Sequence, residues 1–165
     1  MELSYFTTFF SPPRVNRYLL ATTNTTISAI ELYKLNLQLA KEFNPLIGIV
    51  EVTLRNGLSN VMEKHFNDKD WIINQQKGFM IDKGLYNDYL INEVAKAEKK
   101  LKKNGGALSN HRIIAEQDFG FWTAFFENKC YKILNGKPIQ LFKFLPKNIH
   151  RNDVNVHLNQ IRKFR

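Results

Sequence analysis

Between Leu46 and Val61 an apolar residue returns every three or four positions, at Leu46, Val50, Leu54, Leu58 and Val61. That spacing lines one face of an α-helix, whereas a half-buried strand alternates at every second position. The pattern recurs at Ile27, Ile30, Leu35 and Leu39, at Tyr86, Leu90, Val94, Ala97 and Leu101, and at Val154, Leu158, Ile161 and Phe164. Strand-like alternation is almost nowhere to be found. The fold class that follows is all-α, a helical bundle.

Turn and cap signals divide this pattern. Ser11-Pro12-Pro13 is a break, and residues 14–20 form a short helix. Thr25 or Thr26 caps a helix reaching about Phe43, and Asn44-Pro45 restarts the chain with Pro45 in a new first turn, ending near His65 to Asp68. Residues 71–81 read as an irregular connection with a packed Trp71. A third helix runs from about Asp82 and stops at Asn104-Gly105-Gly106. Ser109 opens a helix through about Asn128, Asn135-Gly136-Lys137-Pro138 breaks the chain, residues 141–145 form a short helix before Pro146, and Asp153 caps the last helix. That helix reaches Arg165 without a Gly, Asn or Pro stop signal and reads as cut at its C-terminus.

A length of 165 residues suits one domain with a core large enough to need no staples, here spanning 1–165 with a less regular segment over about 1–25. Thirteen Phe make that core aromatic. The single cysteine, Cys130, excludes an internal disulfide and a Cys-cluster zinc site, and reads as a core thiol in a reducing compartment. With no signal peptide and no apolar run long enough to cross a bilayer, a cytoplasmic protein without membrane association is expected.

Lys and Arg number 24 against 15 Asp and Glu, a net charge of +9, so nucleic acid is the leading partner class through counterion release. Lys96, Lys99, Lys100, Lys102 and Lys103 crowd the end of the third helix. Cations there complement the helix dipole, which makes a solvated helix end the first reading and a phosphate-facing strip the second. No Gly-rich phosphate loop, His-Glu-x-x-His or Cys-x-x-Cys pattern occurs, and His65, His111, His150 and His157 stand singly. Neither a metal site nor a cofactor is expected.

Two segments are unusual for a plain bundle. Glu51 and Arg55 lie one helical turn apart and can pair, with Asn56 beside the stripe of Leu54 and Leu58; these are satisfied polar core groups or a site. In Phe119-Gly120-Phe121-Trp122, a helical Gly among aromatics costs stability and points to close approach of another helix.

Leu32-Tyr33-Lys34-Leu35-Asn36, Val50-Glu51-Val52-Thr53-Leu54-Arg55-Asn56, Trp71, Phe119-Gly120-Phe121-Trp122, Leu145-Pro146, Arg151, and Leu158 with Ile161-Arg162 and Phe164-Arg165 together resemble the Abi (abortive infection) family of bacterial phage-defence proteins. The likeness covers the chain from about Ser11 to its end. That family is similar to HEPN domains, all-α endoribonucleases whose motif is an Arg followed a few residues later by a His on a late helix. By this resemblance Arg165 is the motif arginine, and the Asn and His expected next lie beyond these 165 residues. Arg55, Asn56, Glu51 and Arg162 are implied as RNA-binding or active-site-proximal. Arg151 and His157, separated by five residues, formally fit the same spacing and form an alternative pair.

The chemistry implied is metal-independent RNA cleavage. The 2′-hydroxyl loses a proton as it attacks phosphorus, the 5′-oxygen gains one on leaving, and the phosphoryl oxygens need positive charge. Histidine moves such protons and arginine clamps phosphate, so a chain ending at Arg165 is expected to lack the proton-transfer group. The resemblance further implies a homodimer, an antitoxin partner, and tRNA or phage transcripts as the RNA. Two other classes stay open: a noncatalytic RNA-binding or regulatory module, and a helical protein-interaction domain with incidental charge.

Overall fold

A computed structural model describes Thr8 and residues 10–23, 28–85 and 87–164. Eight α-helices are found among the described residues, with no strand: α1 (Pro12–Thr22), α2 (Ala29–Phe66), α3 (Trp71–Asn74), α4 (Tyr89–Lys103), α5 (Asn110–Glu116), α6 (Phe119–Ala124), α7 (Asn128–Ile133) and α8 (Arg151–Phe164). Single 3-10 turns cover Gln75–Lys77, Phe79–Ile81 and Lys137–Leu141. The all-α class is thus observed. The chain divides into two compact units, residues 1–48 and 49–165.

In the first unit, Pro12 occupies the opening turn of α1, where its missing N–H costs nothing, so the expected break is the helix start. Tyr18 bonds Asn36, whose Nδ2 donates to the phenol oxygen at 2.9 Å, and the Tyr18 and Tyr33 rings meet edge-on at 5.3 Å. The expected caps Thr25 and Thr26, and Ile27, lie outside the described residues, as does Tyr86. The described cap is Ser28. Its hydroxyl accepts from Glu31 N at 3.2 Å while Glu31 Oε2 accepts from Ser28 N at 2.9 Å, the reciprocal bonds of a capping box. The Ser28 N–H first, and the Ser28 hydroxyl donating to the same Oε2 at 2.8 Å second, hold the Glu31 carboxyl below its ordinary pKa.

The expected restart at Pro45 does not occur: α2 runs through it. Proline removes the donor to the Lys41 carbonyl, but Lys41 and Pro45 are both exposed, so water can satisfy that oxygen. Leu35 and Leu39, expected on a buried stripe, are exposed to 50% and 45%.

The second unit has one core. Leu54, Leu58 and Met62 of α2, Trp71 and Ile72 of α3, Val94 and Leu101 of α4, Ile113 of α5, the aromatics of α6, and Val154 and Leu158 of α8 all belong to it. Trp71 is fully buried, and its indole N–H donates to Ser59 Oγ at 3.3 Å. The connection after α2 therefore carries a packed Trp, as its sequence indicates. The helix expected from Asp82 begins only at Tyr89. It ends where expected: Gly105 N donates to Lys102 O at 3.1 Å and Gly106 N to Leu101 O at 2.9 Å, with Gly105 at φ +66, a Schellman motif.

Three other boundaries differ from expectation. Ser109 does cap a helix, but the single element foreseen through Asn128 is α5, α6 and the start of α7. Asp118 makes the break: it sits in an extended conformation and its Oδ1 accepts from Phe121 N at 2.8 Å, a local bond that competes with helix continuation. The short helix expected over 141–145 is a 3-10 helix four residues earlier, at Lys137–Leu141. Asp153 lies inside α8 rather than before it, its carboxylate accepting from His150 N at 2.8 Å.

Cys130 is buried, as expected of a core thiol, and burial first, with the Glu127 charge second, pushes its pKa up to about 12. Two stability measurements follow. Pro45→Ala restores a helical donor and is expected to raise stability by up to about 3 kcal/mol, read as a higher denaturation midpoint; a lower midpoint contradicts an uninterrupted α2. Cys130 is expected to react with a disulfide reagent no faster than the protein unfolds. Prompt stoichiometric labelling of the folded protein contradicts its burial.

Candidate functional site

Among the residues expected from sequence, Arg162 is exposed on α8 and lies beside the close contact at Gly120. All six residues of α6 are buried, and α8 packs chiefly on this helix. Gly120 makes the approach possible. A methyl group in its place would stand 2.9 Å from Tyr89 Oη, 3.2 Å from Asp118 Oδ1 and 3.6 Å from Arg162 Nη1. The close approach read from Phe-Gly-Phe-Trp is therefore observed, and what fills the gap is polar: a phenol from α4, a capping carboxylate and a guanidinium from α8.

The electrostatics of this cluster fix its protonation. Tyr89 is pushed up to about 12, first by burial and then by the Asp118 and Glu93 carboxylates, with Glu127 adding and Arg162 opposing. The phenol is therefore a hydrogen-bond donor at neutral pH. Arg162 supplies a cation that Asp118 partly balances. Together they can hold an oxyanion, but Tyr89 does not give up its proton near neutrality.

The other expected residues are dispersed. Arg55 is half-buried and its Nη1 donates to the Ala115 carbonyl at 3.3 Å, near the end of α5; Glu51 is half-buried one turn away, and Asn56 is exposed. Arg55 is thus a satisfied polar group tying α2 to α5. Arg151 opens α8, donating from Nη1 to the Phe126 carbonyl at 3.2 Å with its guanidinium carbon 6.0 Å from the Tyr131 ring centre. His157 is exposed and lies about 120° around the helix from Arg151, so the two face different ways. Arg165 lies outside the described residues.

The lysine-rich end of α4 is largely a solvated helix end. Lys96 pairs with Glu93 and Lys100 with Glu116, while Lys99, Lys102 and Lys103 are exposed. A second basic locus was not legible from sequence. Gly57, Asn60, Val61, Lys64 and His65 of α2 face Lys137, Gln140, Leu141 and Lys143 across a cleft of about 350 Å³. Gly57 admits Leu141 here, since a methyl group at Gly57 would stand 2.1 Å from Leu141 Cδ1. His65 is held below its ordinary pKa by burial and then by the Lys137 charge.

Among the described residues no group of three His, Cys, Asp or Glu is placed to hold a metal ion, and no helix is long and apolar enough to cross a membrane. No family model, curated protein or solved structure matches this chain.

The Tyr89 shift carries a pH dependence. A phenol whose folded pKa is raised from 10 to about 12 adds stability that is fully present below pH 10 and is lost as pH rises toward 12, where the unfolded chain ionises first. Tyr89→Phe is expected to flatten the fall in stability across that window in denaturation series. An unchanged slope removes Tyr89 from its half-buried position beside Asp118.

Proposed function

We propose that this chain is the helical body of an abortive-infection protein of HEPN type, acting in phage defence by metal-independent cleavage of RNA. One observation supports the reading above others. The segments that carry the resemblance share a single core, with Leu54 of the Leu-Arg-Asn segment, Phe119, Phe121 and Trp122 of α6, and Leu158 of the last helix in one cluster. Pieces far apart in sequence that pack together behave as parts of one scaffold, and the last helix is held on it with Arg162 beside Tyr89. A guanidinium so placed serves a phosphoryl group that gains negative charge as the 2′-hydroxyl attacks. tRNA or phage transcripts are the substrates this reading names, an antitoxin its protein partner, and a homodimer its working form.

A second reading, a noncatalytic RNA-binding module, is favoured by the composition of the Arg162 cluster. Tyr89 stays protonated and no described histidine is among the groups that perturb it. Cleavage then depends on a proton-transfer group that this cluster does not supply.

The test is RNA cleavage by the naturally encoded protein in the presence of a chelator. The expected products end in 2′,3′-cyclic phosphate and 5′-hydroxyl, and Arg162→Ala is expected to slow their formation about 10-fold to 100-fold, the cost of a charge-assisted hydrogen bond. Arg55→Ala is expected to weaken activity as well, through the α5 contact. Salt-dependent RNA binding with no cleavage selects the second reading, and no RNA binding at all rejects both.

A further inference from the structure

The cleft between α2 and the Lys137–Leu141 turn has the chemistry of a phosphate seat. Lys64, Lys137 and Lys143 converge on it, joined by the neutral donors and acceptors of Asn60 and Gln140, and no carboxylate lines it. Lys64, Lys137 and Lys143 make no ion pair with a described carboxylate, unlike Lys96 with Glu93 and Lys100 with Glu116. Three like charges around one concavity repel each other, and an anion relieves that repulsion. With a volume of about 350 Å³, the cleft falls at the small end of sites that enclose a ligand.

The wall of this cleft continues into an aromatic platform. Leu141 and Lys143 also line a shallow, open, mainly apolar hollow with Phe142, Phe144, Leu145 and Pro146. Phe144 is 96% exposed, the most exposed large hydrophobic side chain among the described residues. An aromatic ring free on both faces, one residue from a phosphate-binding lysine, is the pairing with which proteins hold single strands: charge tracks the backbone and the ring stacks a base. Duplex RNA offers no unstacked base to such a ring.

We infer that residues Lys64, Lys137, Lys143 and Phe144 form a binding site for single-stranded RNA, the lysines seating a backbone phosphate in the cleft and Phe144 stacking an adjacent base. The inference rests on the reading that RNA is the ligand, and it locates the grip away from the Arg162 cluster. It requires no cleavage. Binding energy at such a site positions a strand for chemistry elsewhere on the molecule.

The experiment measures anisotropy of a short fluorescent single-stranded oligouridylate over a salt series, with the full chain. Combined replacement of Lys64, Lys137 and Lys143 by Gln is expected to weaken binding at least about 10-fold and to lower the slope of log affinity against log salt by about 0.7, the loss of the one phosphate contact seated in the cleft. Phe144→Ala is expected to weaken binding about 10-fold with the slope unchanged, since stacking releases no counterions. A matched variant, Lys99→Gln with Lys102→Gln and Lys103→Gln, removes the same charge from α4 and is expected to lose little. Circular dichroism melts confirm that each variant is folded.

Equal losses in the cleft and α4 variants overturn the site in favour of diffuse charge. Unchanged affinity in Phe144→Ala overturns the stacking contact. Full competition by inorganic phosphate, or by duplex RNA at equal phosphate concentration, overturns single-strand recognition. If the parent binds RNA but no cleft variant is impaired, this inference fails and the ribonuclease reading stands; if the parent shows no salt-dependent binding, both fail.

Discussion

Trp71 sits at the point where the helices of residues 49–165 meet, and its burial constrains all of them. Its ring meets Trp122 at 6.4 Å and Phe125 at 6.1 Å, both edge-on, and Phe66 stacks 6.5 Å away. Edge-to-face contacts of this kind each add about 0.5–1.5 kcal/mol beyond the area they bury. The polar end of the indole is equally committed, because its N–H must find an acceptor once water is excluded and Ser59 on α2 supplies one. Position and orientation of α3 are thereby fixed against α2 and α6 together. Trp122 also meets Phe121 and Phe125, so the aromatic layer is continuous through α6, the helix on which α8 lies. The placement of Arg162 beside Tyr89 is a remote consequence of that layer.

What sequence reveals here follows a physical division between periodic and non-periodic information. The helical character of the core-facing stripes was readable because burial imposes a repeat: Leu54 and Leu58, Leu90 and Val94, Val154 and Leu158 are all buried. The Schellman end at Gly105 was readable because few residues accept a positive φ without strain. By contrast, Pro45 misleads, since its cost depends on whether the bereaved carbonyl reaches water, which is a property of the exposed surface rather than of the proline. The break at Asp118 was hidden for the opposite reason. Apolar residues continue on both sides of it, and only the capping habit of Asp three residues before Phe121 hints at a new helix.

Candidate site residues divide the same way. Gly120 was legible as a close approach because a helical glycine amid aromatics sacrifices both stability and buried area, a loss that tight packing against a neighbour offsets. The identity of its neighbours, Tyr89 and Arg162, comes from helices remote in sequence. Arg55 stood out on a buried-looking helix and Arg151 by its spacing from His157, yet each is absorbed by a backbone carbonyl, Ala115 and Phe126. A long charged side chain often ends on a local acceptor, and no pattern in the chain records which. The lysine cleft gave no signal because its two walls are unrelated stretches brought together by a glycine, Gly57, that admits Leu141.

The two polar regions of residues 49–165 differ in a way that bears on how an anion is held. At Gly120 the guanidinium of Arg162 lies near one carboxylate, that of Asp118, which cannot be dispensed with because it satisfies the Phe121 N–H at the start of a fully buried helix. An entering phosphate meets attraction from Arg162 and repulsion from the Asp118 carboxylate beside it, which lowers the net affinity there. The cleft beside Lys64 carries no such opposing charge. In the proposed function, affinity falls to the cleft, where no carboxylate is needed for the fold, and chemistry to Arg162, an exposed cation beside Asp118. A guanidinium that binds the ground state weakly retains more of its interaction for a phosphoryl group whose charge increases during reaction.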